Sequence, residues 1–121
     1  MSNKESGKYK IKKDKFTKAR GGSSKFLIIL CASCEHQVLL YQKDGPGRLL
    51  RIYLDKIIAP EEFSTLQNTT YKKSEIQGLH CPNCGELLAV PMIYTPENRL
   101  ALRVIRGKTQ IEKSDGLFPK E

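Results

Sequence analysis

Apolar residues fall along this chain in short blocks separated by turn-forming clusters, a spacing that predicts strands more than helices. The first block, SKFLIILC (residues 24–31), is almost continuously apolar, rich in β-formers and bounded by Gly-Ser on one side. QVLLYQ (37–42) follows as a second strand. KDGPGR then places Asp44-Gly45 and Pro46-Gly47 in succession, strong turn chemistry. A hairpin is expected there, returning through RLLRIYLDKII (48–58). That return arm fits two periods. As a helix, Leu49, Leu50, Tyr53, Leu54, Ile57 and Ile58 form one stripe; as a strand, Leu50, Ile52, Leu54 and Ile58 share a face that Lys56 interrupts. The turn before it favours the strand.

The middle, APEEFSTLQNTTYKKSEIQG, is more polar. Pro60-Glu61-Glu62 suits one helical turn, with proline at its first position, and the Asn, Thr and Lys residues after it suit an exposed loop. Beyond residue 85, ELLAVPMIY and RLALRVIRG flank TPEN and predict a second hairpin, with Pro91 at a sheet edge or a bulge. KTQIEKSDGLFPKE begins as a short strand and ends as a frayed tail.

Each predicted hairpin is preceded by a Cys-x-x-Cys knuckle. CASC supplies Cys31 and Cys34, CPNC supplies Cys81 and Cys84, and these are the four cysteines of the chain. A knuckle aims two sulfurs at one ion, and zinc favours four thiolates in a tetrahedron, so two pairs with none left over point to one shared structural zinc. Gly85 stands where such a knuckle needs a residue tolerant of positive φ. Two disulfides, or a redox-active pair, are the competing readings. The opening MSNKESGKYKIKKDKF carries no apolar signal segment, which favours a reducing, cytoplasmic setting and hence metal. His36 and His80 lie beside the knuckles and could replace a cysteine as ligand or hydrogen-bond a thiolate, but with four sulfurs available the plainer reading is a solvated or capping role.

A length of 121 residues suits one domain, and 39% hydrophobic residues without tryptophan make a modest core that a metal would reinforce. No apolar run approaches the ~18 residues of a membrane span. The net charge of +8 is localised: residues 1–25 hold nine of the 21 basic residues and two of the 13 acidic ones. With KARGGSSK as a flexible joint, residues 1–24 are expected to form a disordered basic arm, 25–112 the zinc-binding β domain and 113–121 a C-terminal tail. In the arm, Lys8, Lys10, Lys12, Lys13, Lys15, Lys18 and Arg20 suit nucleic-acid phosphates, and Tyr9 and Phe16 suit base stacking. A merely solubilising tail is the plainer reading.

The CASC and CPNC pairs, their 46 intervening residues and the β-rich surroundings make residues 25–110 resemble zinc-ribbon proteins, and more closely the β-tent zinc domains. That class includes methionine-R-sulfoxide reductases, Rab-binding chaperone-like proteins, cereblon-type ligand-binding domains and the RNA-sensing domains of innate immune helicases. The resemblance implies a mainly β fold, a small antiparallel assembly of two knuckle–hairpins pinned at one end by zinc. Departures sort the functions. The reductases use a further cysteine as nucleophile, and none remains here; cereblon-type pockets use tryptophans, and the chain has none. RNA-sensing relatives use basic faces, and Arg99 and Arg103 share one face of RLALRVIR, with Glu86, Glu97 and Glu112 available to neutralise them.

Four thiolates leave no open position for catalytic water, and no nucleophilic or paired-carboxylate constellation stands out. The expected function is therefore a non-enzymatic, monomeric zinc module binding RNA or a ribonucleoprotein. Its alternatives are a structural or protein-interaction zinc module with a partner seated near Met92, Ile93 and Tyr94, or, less favoured, a redox enzyme of the sulfoxide-reductase kind.

Overall fold

The computed structural model describes residues 8–69 and 76–120. Among these, eight strands, β1 (Ser24–Cys31), β2 (Gln37–Asp44), β3 (Arg51–Tyr53), β4 (Ile57–Ala59), β5 (Leu79–His80), β6 (Leu87–Tyr94), β7 (Arg99–Val104) and β8 (Thr109–Ser114), form two antiparallel sheets. The first sheet runs β4-β2-β1-β8 and the second β3-β7-β6-β5. Three short α-helices, α1 (Lys15–Ala19), α2 (Glu61–Ser64) and α3 (Leu66–Thr69), and two 3-10 turns complete the described elements. The mainly β, antiparallel architecture expected from the sequence is present.

The apolar run of β1 has a direct cause. Ile29 and Cys31 enter a core between the two sheets, with Leu39 and Tyr41 of β2, Ile52 of β3, Leu88 of β6 and Leu102 of β7. Phe26 and Ile28 enter a second cluster with Leu40, Ala59 and Phe118. Both faces of β1 are thus covered, and a strand buried on both faces has no polar alternation to show.

The first hairpin differs from expectation. The chain does not return from the Gly45–Gly47 turn to pair with β2. Instead β3 crosses to the second sheet, where Arg51 lies opposite Arg103 and Tyr53 opposite Ala101. A 3-10 turn, Leu54–Lys56, then redirects the chain so that β4 pairs with β2, Leu40 opposite Ala59. The return arm is therefore neither one strand nor one helix. Tyr41 holds the crossing in place, its hydroxyl accepting the Tyr53 N–H at 2.9 Å. Burial keeps that phenol neutral, pushing its pKa well above the ordinary tyrosine range.

The second hairpin is as expected. β6 pairs with β7 from Ala89 opposite Val104 to Tyr94 opposite Arg99. A 3-10 turn, Thr95–Glu97, joins them, with Asn98 at φ 50°. β5 covers β6 only at Ala89 and Leu87. From Pro91 onward that side of β6 is an edge, so the missing N–H costs no ladder bond. The helical turn at Glu61–Ser64 also forms, although Pro60 caps it rather than occupying its first position. Of the expected exposed loop, Leu66–Thr69 is helical and residues 70–75 lie outside the described residues.

The ends of the chain correct the sequence reading most. Residues 1–7 lie outside the described part, but from Lys8 onward the expected disordered arm is packed on the domain. Tyr9 donates its N–H to the Gly116 carbonyl at 2.8 Å. The wholly buried Gln42 pairs with Lys12 as a strand would, accepting its N–H and donating to its carbonyl, both at 2.7 Å. Asp14 caps α1 in a reciprocal box with Thr17. Beneath that cap, Lys56 is 1% exposed and bridges Asp44 at 2.7 Å and Asp14 at 3.0 Å, with the Thr17 hydroxyl at 3.1 Å. One buried ammonium thereby fastens the arm to β2. The tail is also packed: Lys113 and Ser114 belong to β8, and Phe118 is buried beside Tyr9 and Ile11. Composition flagged these segments as free because their lysines outnumber the few residues that dock them.

Candidate functional site: a four-cysteine metal centre

β1 delivers Cys31 at its last position and β5 ends just before Cys81, so the two knuckles hang from corresponding ends of the two sheets. Their backbones repeat each other. In the first, the Cys31 N–H reaches the His36 carbonyl at 3.0 Å and the Glu35 N–H returns to the Cys31 carbonyl at 2.7 Å. In the second, the Cys81 N–H reaches the Glu86 carbonyl at 2.9 Å and the Gly85 N–H returns to the Cys81 carbonyl at 2.8 Å. The residue after each second cysteine turns left-handed, Glu35 at φ 65° and Gly85 at φ 83°. The sequence exposes the glycine; the glutamate in the same role is invisible until the backbone is seen.

The knuckles meet. Cys31 Sγ lies 3.6 Å from Cys84 Sγ, and Cys34 Sγ 3.6 Å from Cys81 Sγ. All four sulfurs fall within 4.8 Å of one another, and none is in a disulfide. A Zn–S bond of ~2.3 Å sets the edge of a tetrahedron at roughly 3.8 Å. The donor set, its spacing and its chemistry therefore fit a zinc ion bound by Cys31, Cys34, Cys81 and Cys84. Cys31 and Cys81 are buried in the inter-sheet core, Cys84 is exposed, and the centre sits at the rim of the domain.

Hydrogen bonds prepare the Cys34 sulfur for the charged form. The Asn83 side chain and then the His36 N–H lower the Cys34 thiol to about 7. At Cys84 the Glu86 N–H works the same way, but desolvation and the sulfurs of Cys31, Cys34 and Cys81 outweigh it and push the thiol up to about 12. Cys34 is thus easily ionised while Cys84 resists; a dication removes that conflict. Lys108 stands nearby. Its amine is raised first by its hydrogen bond to Glu86 and further by Cys31, a cation beside a centre whose net charge with zinc is about −2. His36 enters through its backbone, and the metal-ligating cluster contains neither His36 nor His80.

The nucleic-acid candidates divide. Lys8 faces Asp115 at 3.4 Å, and Lys12 Nζ donates to the Asp55 carbonyl at 2.7 Å. Arg20 forks onto Glu97 at 2.8 and 2.9 Å, which raises the guanidinium and lowers the carboxyl. Arg99 is buried, bonded to Glu97 at 2.9 Å and Asp55 at 2.7 Å, and sandwiched between Phe16 at 3.6 Å and Tyr53 at 3.8 Å. Arg20 is thus engaged in an ion pair that joins the arm to the second hairpin, and Arg99 in ion pairs that tie that hairpin to the Leu54–Lys56 turn. Phe16 is occupied by Arg99 on that face. Lys10, Lys13, Lys15, Lys18 and Arg103 remain exposed, with no carboxylate partner among the described residues. Sequence reasoning missed Lys56, Gln42 and the Glu97–Asp55 pair; the one available signal was Asp14 followed three residues on by Thr17, a helix-start pattern.

Comparison of the chain with protein-family models, curated proteins and solved structures finds no match. Among the described residues no helix is long and apolar enough to cross a membrane.

Proposed function

We propose that this chain is a non-enzymatic zinc-clamped binding module, acting as a cytoplasmic monomer that engages RNA or a ribonucleoprotein. The convergence of four sulfurs from two matching knuckles carries this reading. A tetrathiolate shell is closed, so the ion it holds has no position for substrate or water, and its role is to fix two sheets together. Two antiparallel sheets joined at such a cluster also support the likeness to β-tent domains. With all four thiols in the cluster, none is set apart as a nucleophile, which disfavours the reductase reading.

RNA is supported by Lys10, Lys13, Lys15 and Lys18, four exposed ammonium groups on the docked arm with no carboxylate partner among the described residues. Such groups contact phosphate without reading sequence. Binding of a fluorescent single-stranded oligoribonucleotide by the full chain should weaken with salt, with a logarithmic slope of about −3 for four phosphate contacts. Replacing the four lysines by glutamine should abolish it while the zinc remains. Undetectable affinity at low salt would leave the protein-interaction module in its place. That module has less to recommend it: Ile93 is 44% exposed, but Met92 is half-buried and Tyr94 lies under Arg51 at 4.1 Å.

A further inference from the structure

At the other end of β2 from the knuckles, the wedge between the sheets opens into a cleft of about 340 Å³. It is lined by the Gly45–Gly47 loop and by Lys43, Arg48, Arg51, Arg20 and Arg99, with Asp44 the one acidic lining residue. Ion pairing does not cancel this charge. Asp44 belongs to Lys56, and Arg20 and Arg99 have Glu97 and Asp55. Lys43, Arg48 and Arg51 have no carboxylate partner among the described residues: Lys43 donates to the carbonyls of Gly45 and Pro46, and Arg51 to the Tyr53 hydroxyl.

Three further features favour an anion at this place. Arg51 stands directly opposite Arg103 across the β3–β7 ladder, a like-charge pairing that is unfavourable unless something negative lies between or beside them. Burial, then Lys25 and Arg20, hold the Lys43 ammonium below the usual lysine range, with Asp44 offsetting only part of this. Arg99, which lines this cleft and a second one beside Phe16, is 6% exposed and its buried Nε has no hydrogen-bond partner among the described residues, where buried donors are ordinarily satisfied. The loop itself is fixed in position. Gly45 adopts φ 81° with its N–H bonded to the Ser23 carbonyl at 2.8 Å, and a Cβ there would meet Arg20 Cβ at 2.8 Å.

We propose that this cleft binds the phosphate of a phosphomonoester, with Lys43, Arg48 and Arg51 as its cationic contacts. Guanidinium forks match phosphate oxygens, and the volume lies at the small end of ligand sites, enough for the phosphate and part of what it is attached to. The free ligand would be a nucleotide or sugar phosphate; the same chemistry occurs at the 5′ end of an RNA strand. The site shares no residue with Lys10, Lys13, Lys15 and Lys18, so it does not depend on the RNA reading.

Amide chemical shifts of the zinc-loaded full chain, followed at constant ionic strength, test this. Inorganic phosphate should give saturable shifts confined to residues 43–51 and their neighbours, and adenosine should give none. The Lys43→Gln, Arg51→Gln double variant should weaken phosphate binding at least tenfold, and Arg48→Gln, at an exposed loop position, should weaken it severalfold without touching the fold. Tighter binding of a 5′-phosphorylated oligoribonucleotide than of adenosine monophosphate would assign the site to strand ends, and equal binding to free phosphomonoesters. Shifts that do not saturate, or that persist unchanged in Arg48→Gln and in the double variant, would overturn the proposal.

Discussion

Glu35 and Gly85 hold the same place in the two knuckles, each donating its N–H to the first cysteine of its pair and each turned to positive φ, 65° and 83°. Only one of them is suited to it. A side chain in this conformation costs about 1–2 kcal/mol, part of which glycine gives back through its freer unfolded chain. Glu35→Gly is therefore expected to stabilise the zinc-loaded protein by up to about 1 kcal/mol. Gly85→Ala should cost about 1 kcal/mol through backbone strain alone, since a Cβ there meets nothing within 4 Å. Thermal unfolding of both variants checks this; a Glu35→Gly protein that melts lower would show that the carboxylate has a role of its own.

Some of this molecule was legible in the sequence, for physical reasons. The cysteines were, because metal chemistry restricts residue type and spacing and no thiol was left over. The second hairpin was, because Thr95–Asn98 is a local turn between strands that pair only with each other there. The path of β3 was not. Arg51–Tyr53 carries the same residue types whether it pairs with β2 or with β7, and the choice is made by partners elsewhere, such as the Tyr41 hydroxyl. Nor was the docking of the arm legible. A window average counts Lys12 and Lys18 as loose charge and gives no weight to what Gln42 and Lys56 wait to bind.

Lys56 supplies the second prediction. Its removal would leave Asp44, whose side chain is 5% exposed, as a buried carboxylate without a counter-ion. Lys56→Met should destabilise the domain by about 3 kcal/mol and free the arm from β2. Limited trypsin digestion reads the second effect. In the wild type, sites from Lys12 to Lys18 should be cut slowly; in the variant they should be cut first. Equal rates would mean that the arm is held by something other than this ion pair.

Acid offers a third, with a definite order of events. Burial opposes ionisation of Asp14, but hydrogen bonds from Lys56 and Thr17 outweigh it and lower the carboxyl to about 2. Asp44, held by Lys56, and Glu97, held by Arg20, also lie below the ordinary range. Their stabilisation is complete above the unfolded-state values and is lost only as pH falls through the folded ones, for Asp14 between 3.8 and about 2. Zinc thiolates are protonated at higher pH than this. Acid unfolding by circular dichroism should therefore coincide with zinc release to a colorimetric chelator, before the carboxylates titrate. A fold that outlasts its zinc and collapses only in the aspartate range would contradict the metal's clamping role.

X-ray absorption at the zinc edge, on the chain purified without added metal, decides whether the four cysteines hold one ion. One zinc per chain surrounded by four sulfurs at about 2.3 Å is the predicted result. A folded, metal-free chain, or a zinc shell containing only two sulfurs with nitrogen or oxygen completing it, would contradict the account of Cys31, Cys34, Cys81 and Cys84 as a single clasp between the sheets.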